Sequence, residues 1–139
     1  MIIGIGTDIC DISRIESLIS KFGQKFIDKT FTVHEQEYCS SKSDCAPFYA
    51  KRFAAKEAVA KALATSSSGA LSWLDVEVTN DPSGRPQAIL HRGALERLNA
   101  KTPVDSKSFV HLTLSDDYPY AIAYAMIESR KTIQWIKKI

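Results

Sequence analysis

Arg52-Phe53-Ala54-Ala55-Lys56-Glu57-Ala58-Val59-Ala60-Lys61-Ala62-Leu63 is the stretch around which the chain is organised. Strong helix formers fill nearly every position and neither glycine nor proline interrupts, so a helix is predicted. Phe48, Arg52, Ala55, Val59, Ala62 and Leu63 fall on one side at helical spacing, and Phe53, Glu57, Ala60 and Ala64 on the other. A helix apolar nearly all round is a buried one. Glu57 then sits in packed surroundings, where a carboxylate needs a partner cation. Lys61, one turn later, is on its own face. Two readings stay open: an internal Glu57–Lys61 ion pair that only stabilises, or a pair poised for chemistry.

The whole chain is 139 residues, one domain with room for a real core. Its 45% hydrophobic and 24% charged content are those of a soluble globular protein, and a net charge of +2 gives no argument for nucleic acid. Cys10, Cys39 and Cys45 form no CxxC pair and leave an odd thiol, which suits a reducing cytoplasm. The apolar start is cut short by Asp8 and lacks a basic leader, so no signal peptide is expected. No run approaches the ~18 apolar residues of a membrane span, so a cytoplasmic protein without a membrane partner is expected.

Residues 2–9 read as a strand with Ile3, Ile5 and Thr7 on one face and Ile2, Gly4, Gly6 and Asp8 on the other. Two glycines beside Asp8 mean that something approaches the backbone closely, either a ligand or a packed element. Asp11 or Ser13 can cap a helix with the stripe Ile12, Ile15, Leu18 and Ile19, leaving Arg14, Ser17 and Lys21 pointing away; Lys25 and Lys29 follow. Thr32-x-x-Glu35 is a capping box for a second helix, residues 32–39. Pro47 suits the first turn of the central helix, which the polar stretch 64–69 ends. Beyond it the period becomes two. Residues 73–79 and 86–90 form a hairpin about the turn 80–84, Ala94, Leu95 and Leu98 mark a short helix, and strands follow over 110–115 and 120–127. An α+β fold is expected, a mainly antiparallel sheet wrapped around the long helix. Residues 1–128 make one domain, and 129–139 a tail that is either a peripheral helix docked by Trp135 or a frayed end.

Several motifs fail. Gly4-x-Gly6-x-Asp8 lacks the third glycine of a dinucleotide fingerprint, and His34-Glu35-Gln36-Glu37-Tyr38 has tyrosine where a zinc protease needs histidine. His34, His91 and His111 are scattered without metal spacing. Ser115-Asp116 has no histidine near it in sequence. An oxygen-ligand idea survives: Asp8 and Glu57, with phosphate oxygens and waters, are the donors that Mg²⁺ prefers, and Lys61 would meet a phosphate as a point charge.

Gly4-Ile5-Gly6-Thr7-Asp8-Ile9 with Arg14, Phe31-Thr32 with Glu35 and Tyr38, and the block from Arg52 to Leu63 closely resemble the holo-[acyl-carrier-protein] synthase family, the small, trimeric 4′-phosphopantetheinyl transferases. The likeness continues through Trp73-Leu74-Asp75-Val76-Glu77-Val78, Gly84-Arg85-Pro86 and residues 121–128. It implies transfer of phosphopantetheine from coenzyme A to a serine of apo acyl carrier protein, for fatty acid biosynthesis, with release of 3′,5′-ADP. It further implies that Asp8 and Glu57 hold Mg²⁺, that Lys61 contacts phosphates, and that Glu57 acts through a water as base. Arg52, Gly84, Pro86 and Ser115 join Lys61 in binding coenzyme A; Arg14, Lys21 and Lys25 grip the acidic carrier. The sites are expected between protomers of a homotrimer.

Two departures matter. Ala64-Thr65-Ser66 replaces the usual glycine after the Lys-Ala-Leu block, and Ser115-Asp116 stands where Ser-His is common. An aspartate there would repel phosphate, so weaker or rearranged nucleotide binding is expected. Two competing readings are a non-catalytic trimer that binds coenzyme A or the carrier, and a structural protein with an internal Glu57–Lys61 pair.

Overall fold

The computed structural model describes residues 1–63 and 71–133. Alternation in the first strand, β1 (Ile2–Asp11), turns one face to the core and leaves Ile5, Thr7 and Ile9 exposed. Asp11 then caps α1 (Ile12–Phe22), its carboxylate accepting the Ser13 amide at 2.9 Å. Gly23, at φ 57°, ends that helix and begins α2 (Gln24–Thr30). Thr32 and Glu35 form the expected capping box at the start of α3 (Val33–Ser40). The central helix, α4 (Ala46–Leu63), follows a short loop.

After it come a 3₁₀ turn at Trp73–Asp75, the hairpin strands β2 (Val76–Asn80) and β3 (Pro86–Leu90), and α5 (Arg92–Lys101). The long strands β4 (Ser106–Asp117) and β5 (Tyr120–Lys131) complete the described chain. The three long strands pair antiparallel in the order β1-β5-β4, and β2-β3 form a separate two-stranded sheet. Helix α4 packs on β1 and β5 and also touches β2 and β4, so both sheets lie against it. The expected α+β architecture is the one observed.

The glycines of β1 serve that packing. A Cβ on Gly4 would collide with the Ala62 carbonyl oxygen, and one on Gly6 with that of Ala58. The close approach is therefore by α4, whose buried face there is Ala54, Ala55, Ala58 and Ala62. Small side chains on both elements let the helix backbone settle on the strand.

Strand β4 runs over Ser106–Asp117 where 110–115 is expected, and three further elements differ from expectation. Helix α2 is absent from the sequence reading: at seven residues, with only Phe26 and Ile27 to bury, it has too short a pattern to announce itself. Residues 73–75 form a 3₁₀ turn instead of strand, because Ser72 caps it and Trp73 stacks on Phe53 with centroids 4.8 Å apart. Strand β5 continues to Lys131, past the expected end at 127, since Ser108, Lys107 and Ser106 of β4 go on pairing with it. The docking expected of Trp135 and the loop of residues 64–69 lie outside the described residues.

Candidate functional site

Two polar clusters adjoin each other on α4. The buried one centres on Lys56, whose ammonium donates to Glu35 Oε1 (2.7 Å), the Trp73 carbonyl (2.9 Å) and the Val76 carbonyl (2.5 Å). Glu35 also accepts the Thr32 and Val78 amides, each at 2.9 Å. All three lysine donors are used, and α3, α4 and the entry to β2 are tied together. Burial still pushes the Lys56 amine below its usual range, with the Glu35 charge opposing the shift.

The second cluster opens outward. Asp8 lies on β1 opposite Ala123, and Lys61 reaches from α4 to place Nζ 3.1 Å from Asp8 Oδ1 and 2.8 Å from the Thr7 carbonyl. The internal Glu57–Lys61 pair anticipated from helical spacing is replaced by this cross-element one, because Gly6 brings the strand within reach of the Lys61 side chain. Glu57 is half-buried, and its carboxyl is raised above the usual range, first by burial and then by the charge of Asp8; Lys61 and Arg14 act in the opposite sense. Asp8, Glu57, Lys61 and Arg14 thus share one electrostatic neighbourhood.

Glu57 faces a cleft of about 340 Å³. Ala60 and Lys56 share its helical wall; Leu71, Ser72, Trp73 and Arg97 close the other side. A carboxyl raised by burial and then by a neighbouring carboxylate, beside an open cleft, is a place for a cation and an anionic substrate. Among the described residues no third His, Cys, Asp or Glu joins them, so a metal here would complete its shell with water or substrate oxygens.

The remaining site residues form other groups. Arg52 is buried, with its guanidinium 4.0 Å over the Tyr38 ring and Nη2 donating to Asn80 Oδ1 at 2.7 Å; its Nε has no partner among the described residues. Asn80 in turn donates to the Gly84 carbonyl at 3.0 Å, and Gly84 holds φ 87° in the hairpin turn that leads to Pro86. Ser115 is exposed on β4 opposite Ile122, and Asp8 is opposite Ala123, so the two lie two strands apart, roughly 10 Å at the usual strand spacing. Asp116 beside it is not a bare charge. Lys51 Nζ lies 2.8 Å away, which offsets the phosphate repulsion expected of an aspartate there. Lys51 also stacks on Phe48, and Lys42 on Tyr38 and Phe48, so three cations gather against two rings.

Arg14, Lys21 and Lys25 are exposed. Lys25 and Lys29 rim an apolar hollow of about 280 Å³ between α1 and α2, floored by Leu18, Phe22 and Phe26. Phe26 is not expected from sequence because α2 is not, and Phe22, the last residue of α1, lies beyond the stripe that ends at Ile19. On the far face of the large sheet, Ile5, Ile9, Ile122 and Tyr124 are exposed side by side. A hollow of about 350 Å³ lined by Ile5, Gly6, Thr7, Tyr124 and Lys61 joins that face to the carboxylate cluster.

Residues 4–123 match the family model of the 4′-phosphopantetheinyl transferase superfamily. A holo-[acyl-carrier-protein] synthase of Caulobacter vibrioides is 49% identical over 129 residues, covering 93% of this chain and 97% of the relative. The crystal structure of holo-[acyl-carrier-protein] synthase from Neisseria meningitidis superposes with a TM-score of 0.77 at 35% identity, covering 92% of this chain and 99% of that one. The Bacillus anthracis enzyme, solved in complex with CoA (3′,5′-ADP), gives 0.73 at 33% identity over 94% and 99% of the two chains.

Proposed function

The chain belongs to the holo-[acyl-carrier-protein] synthase family of the 4′-phosphopantetheinyl transferase superfamily, and we propose that it carries out that transfer at the Asp8–Glu57–Lys61 cluster. The enzyme takes 4′-phosphopantetheine from coenzyme A and attaches it to a serine of apo acyl carrier protein. The observation that supports this placement most is that Asp8, Glu57 and Lys61 share one electrostatic neighbourhood across two elements, with Glu57 lining an open cleft.

The serine hydroxyl attacks the phosphorus that bears pantetheine, a new O–P bond forms, and the bond to 3′,5′-ADP breaks. The serine proton passes to a water held by Glu57, whose carboxyl is raised above its ordinary range by burial and then by the charge of Asp8. Lys61 steadies the pyrophosphate as a point charge. Asp8 and Glu57 would hold Mg²⁺: both are hard oxygen donors, the charge of Asp8 reaches Glu57, and the Lys61 ammonium on Asp8 meets the need for a cation only in part. The metal supplies charge stabilisation at the phosphate oxygens. Nucleotide phosphates suit the cationic group of Lys42, Lys51 and Arg52, with the Gly84–Pro86 turn beside it.

The carrier would lie on Arg14, Lys21 and Lys25, with an apolar residue of its acidic helix in the Leu18–Phe22–Phe26 hollow. The exposed strip Ile5, Ile9, Ile122 and Tyr124 suits a second copy of the chain. Its continuity with Lys61 supports a homotrimer whose sites lie between protomers. No helix among the described residues is long and apolar enough to cross a membrane. Free Cys10, Cys39 and Cys45 suit work in the cytoplasm, in fatty acid biosynthesis.

The test is to incubate protein, coenzyme A, Mg²⁺ and apo carrier, and to weigh the carrier. Gain of one phosphopantetheine by wild type, and none with folded Asp8→Ala or Glu57→Ala, is expected. Bound coenzyme A without transfer to several carriers would leave a binding trimer instead.

A further inference from the structure

Lys56 precedes Glu57 in the chain and shares a wall of the same cleft, yet its side chain points inward and is consumed by three acceptors. Two of these, the Trp73 and Val76 carbonyls, bracket the 3₁₀ turn that forms the opposite wall. The third, Glu35, is itself fixed by the Thr32 and Val78 amides. One ammonium therefore joins the helix that carries Glu57 to the wall it faces. The stacked Phe53–Trp73 pair packs the same junction from one turn earlier. Both polar members are buried, at 1% and 0% exposure, so the geometry has no slack taken up by solvent.

We propose that Lys56, held by Glu35, is a positioning residue for Glu57: it sets the distance from α4 to the Trp73–Val76 wall and the direction in which the Glu57 carboxylate enters the cleft. The inference rests on the reading of Glu57 given above. Lys56 touches no substrate in this arrangement and acts through the residue beside it. A group that orients a metal-binding carboxylate typically matters by about 10–100-fold in metal affinity or rate when removed.

The experiment compares wild type, Lys56→Met and a control of similar burial on the same helix, Val59→Ala. Each is assayed well below its own melting midpoint. Two readouts are taken: kcat and KM for the carrier, and the Mg²⁺ concentration at which coenzyme A raises the melting midpoint with no carrier present. Lys56→Met is expected to lower kcat and to shift the Mg²⁺ midpoint upward, each by about 10–100-fold, with the KM for carrier at its wild-type value. Val59→Ala is expected to lose stability alone. If Lys56→Met does not fold, Lys56→Gln, which keeps an amide donor for a wall carbonyl, carries the same measurements. Folded Lys56 variants with wild-type kcat and Mg²⁺ midpoint would overturn the proposal and leave the pair a stabilising one. Full activity in Glu57→Ala would instead remove the reading of Glu57 itself.

Discussion

Lys56 and Glu57 are neighbours in sequence and opposites in circumstance. Each belongs to a carboxylate–lysine group, Glu35–Lys56 on one side of α4 and Asp8–Glu57–Lys61 on the other. In the first, every lysine donor and both carboxylate oxygens are matched by buried partners. In the second, the charge of Asp8 bears on Glu57, among the described residues only Asp8 of the two has a lysine within bonding distance, and Glu57 lines an open cleft. A satisfied network rigidifies; an unsatisfied one has binding capacity left for a ligand. The same two residue types serve fold and chemistry according to what surrounds them.

The sharpest break in the comparison is by truncation. Glu57→Ala should cost roughly 10²–10⁴-fold in transfer rate, the range for losing a positioned base, and Asp8→Ala should lower the rate through the lost metal ligand, both with the circular-dichroism spectrum retained. Glu35→Ala should act first on stability, and on the rate only through Lys56. It leaves Lys56 charged and buried without its counter-ion, at a cost of about 3–5 kcal/mol in stability read by urea unfolding. If Glu35→Ala were as stable as wild type, the buried group would not be the stabilising half of the pair.

A smaller effect on the fold, with a large one on activity, is expected at the outer sheet face. Tyr124→Glu places a charge among Ile5, Ile9 and Ile122 without entering the core. The variant should sediment as a folded monomer and transfer poorly, because Lys61 lies at the border of that face. A monomer with full activity would show that each chain carries a whole site.

Much of this contrast was legible in the sequence, for physical reasons. The Arg52–Leu63 block declares a buried helix by composition, and alternation declares the long strands. Asp8 and Glu57 stand out because each is a charge on a face of small or apolar residues. Their convergence was not legible, since register between a strand and a helix far apart in the chain is set by packing. The choice of Asp8 over Glu57 as partner for Lys61 depends on the approach that Gly6 permits. Lys56 drew no attention because helical spacing alone does not say which lysine points inward. The glycines invited a ligand as readily as a helix, and only the Ala58 and Ala62 carbonyls decide the matter.

The finest test separates the two groups by pH. Burial and Asp8 hold the Glu57 carboxyl above its ordinary value of 4.5. The folded protein therefore keeps that proton to higher pH than the unfolded chain does. Stability from this group is complete below the ordinary value and is lost as pH rises through the raised one. Above that window the wild type carries a crowded charge that glutamine would not. Glu57→Gln, without metal, should be at least as stable as wild type at neutral pH, and its stability should change less as pH rises from about 4 through the range in which the raised carboxyl titrates. Mg²⁺ with coenzyme A should then stabilise the wild type and not the variant. A variant less stable than wild type at neutral pH would mean that Lys61 and Arg14 outweigh Asp8 and burial. In that case the open group would be a structural ion cluster after all, and the difference between the two sides of α4 would vanish.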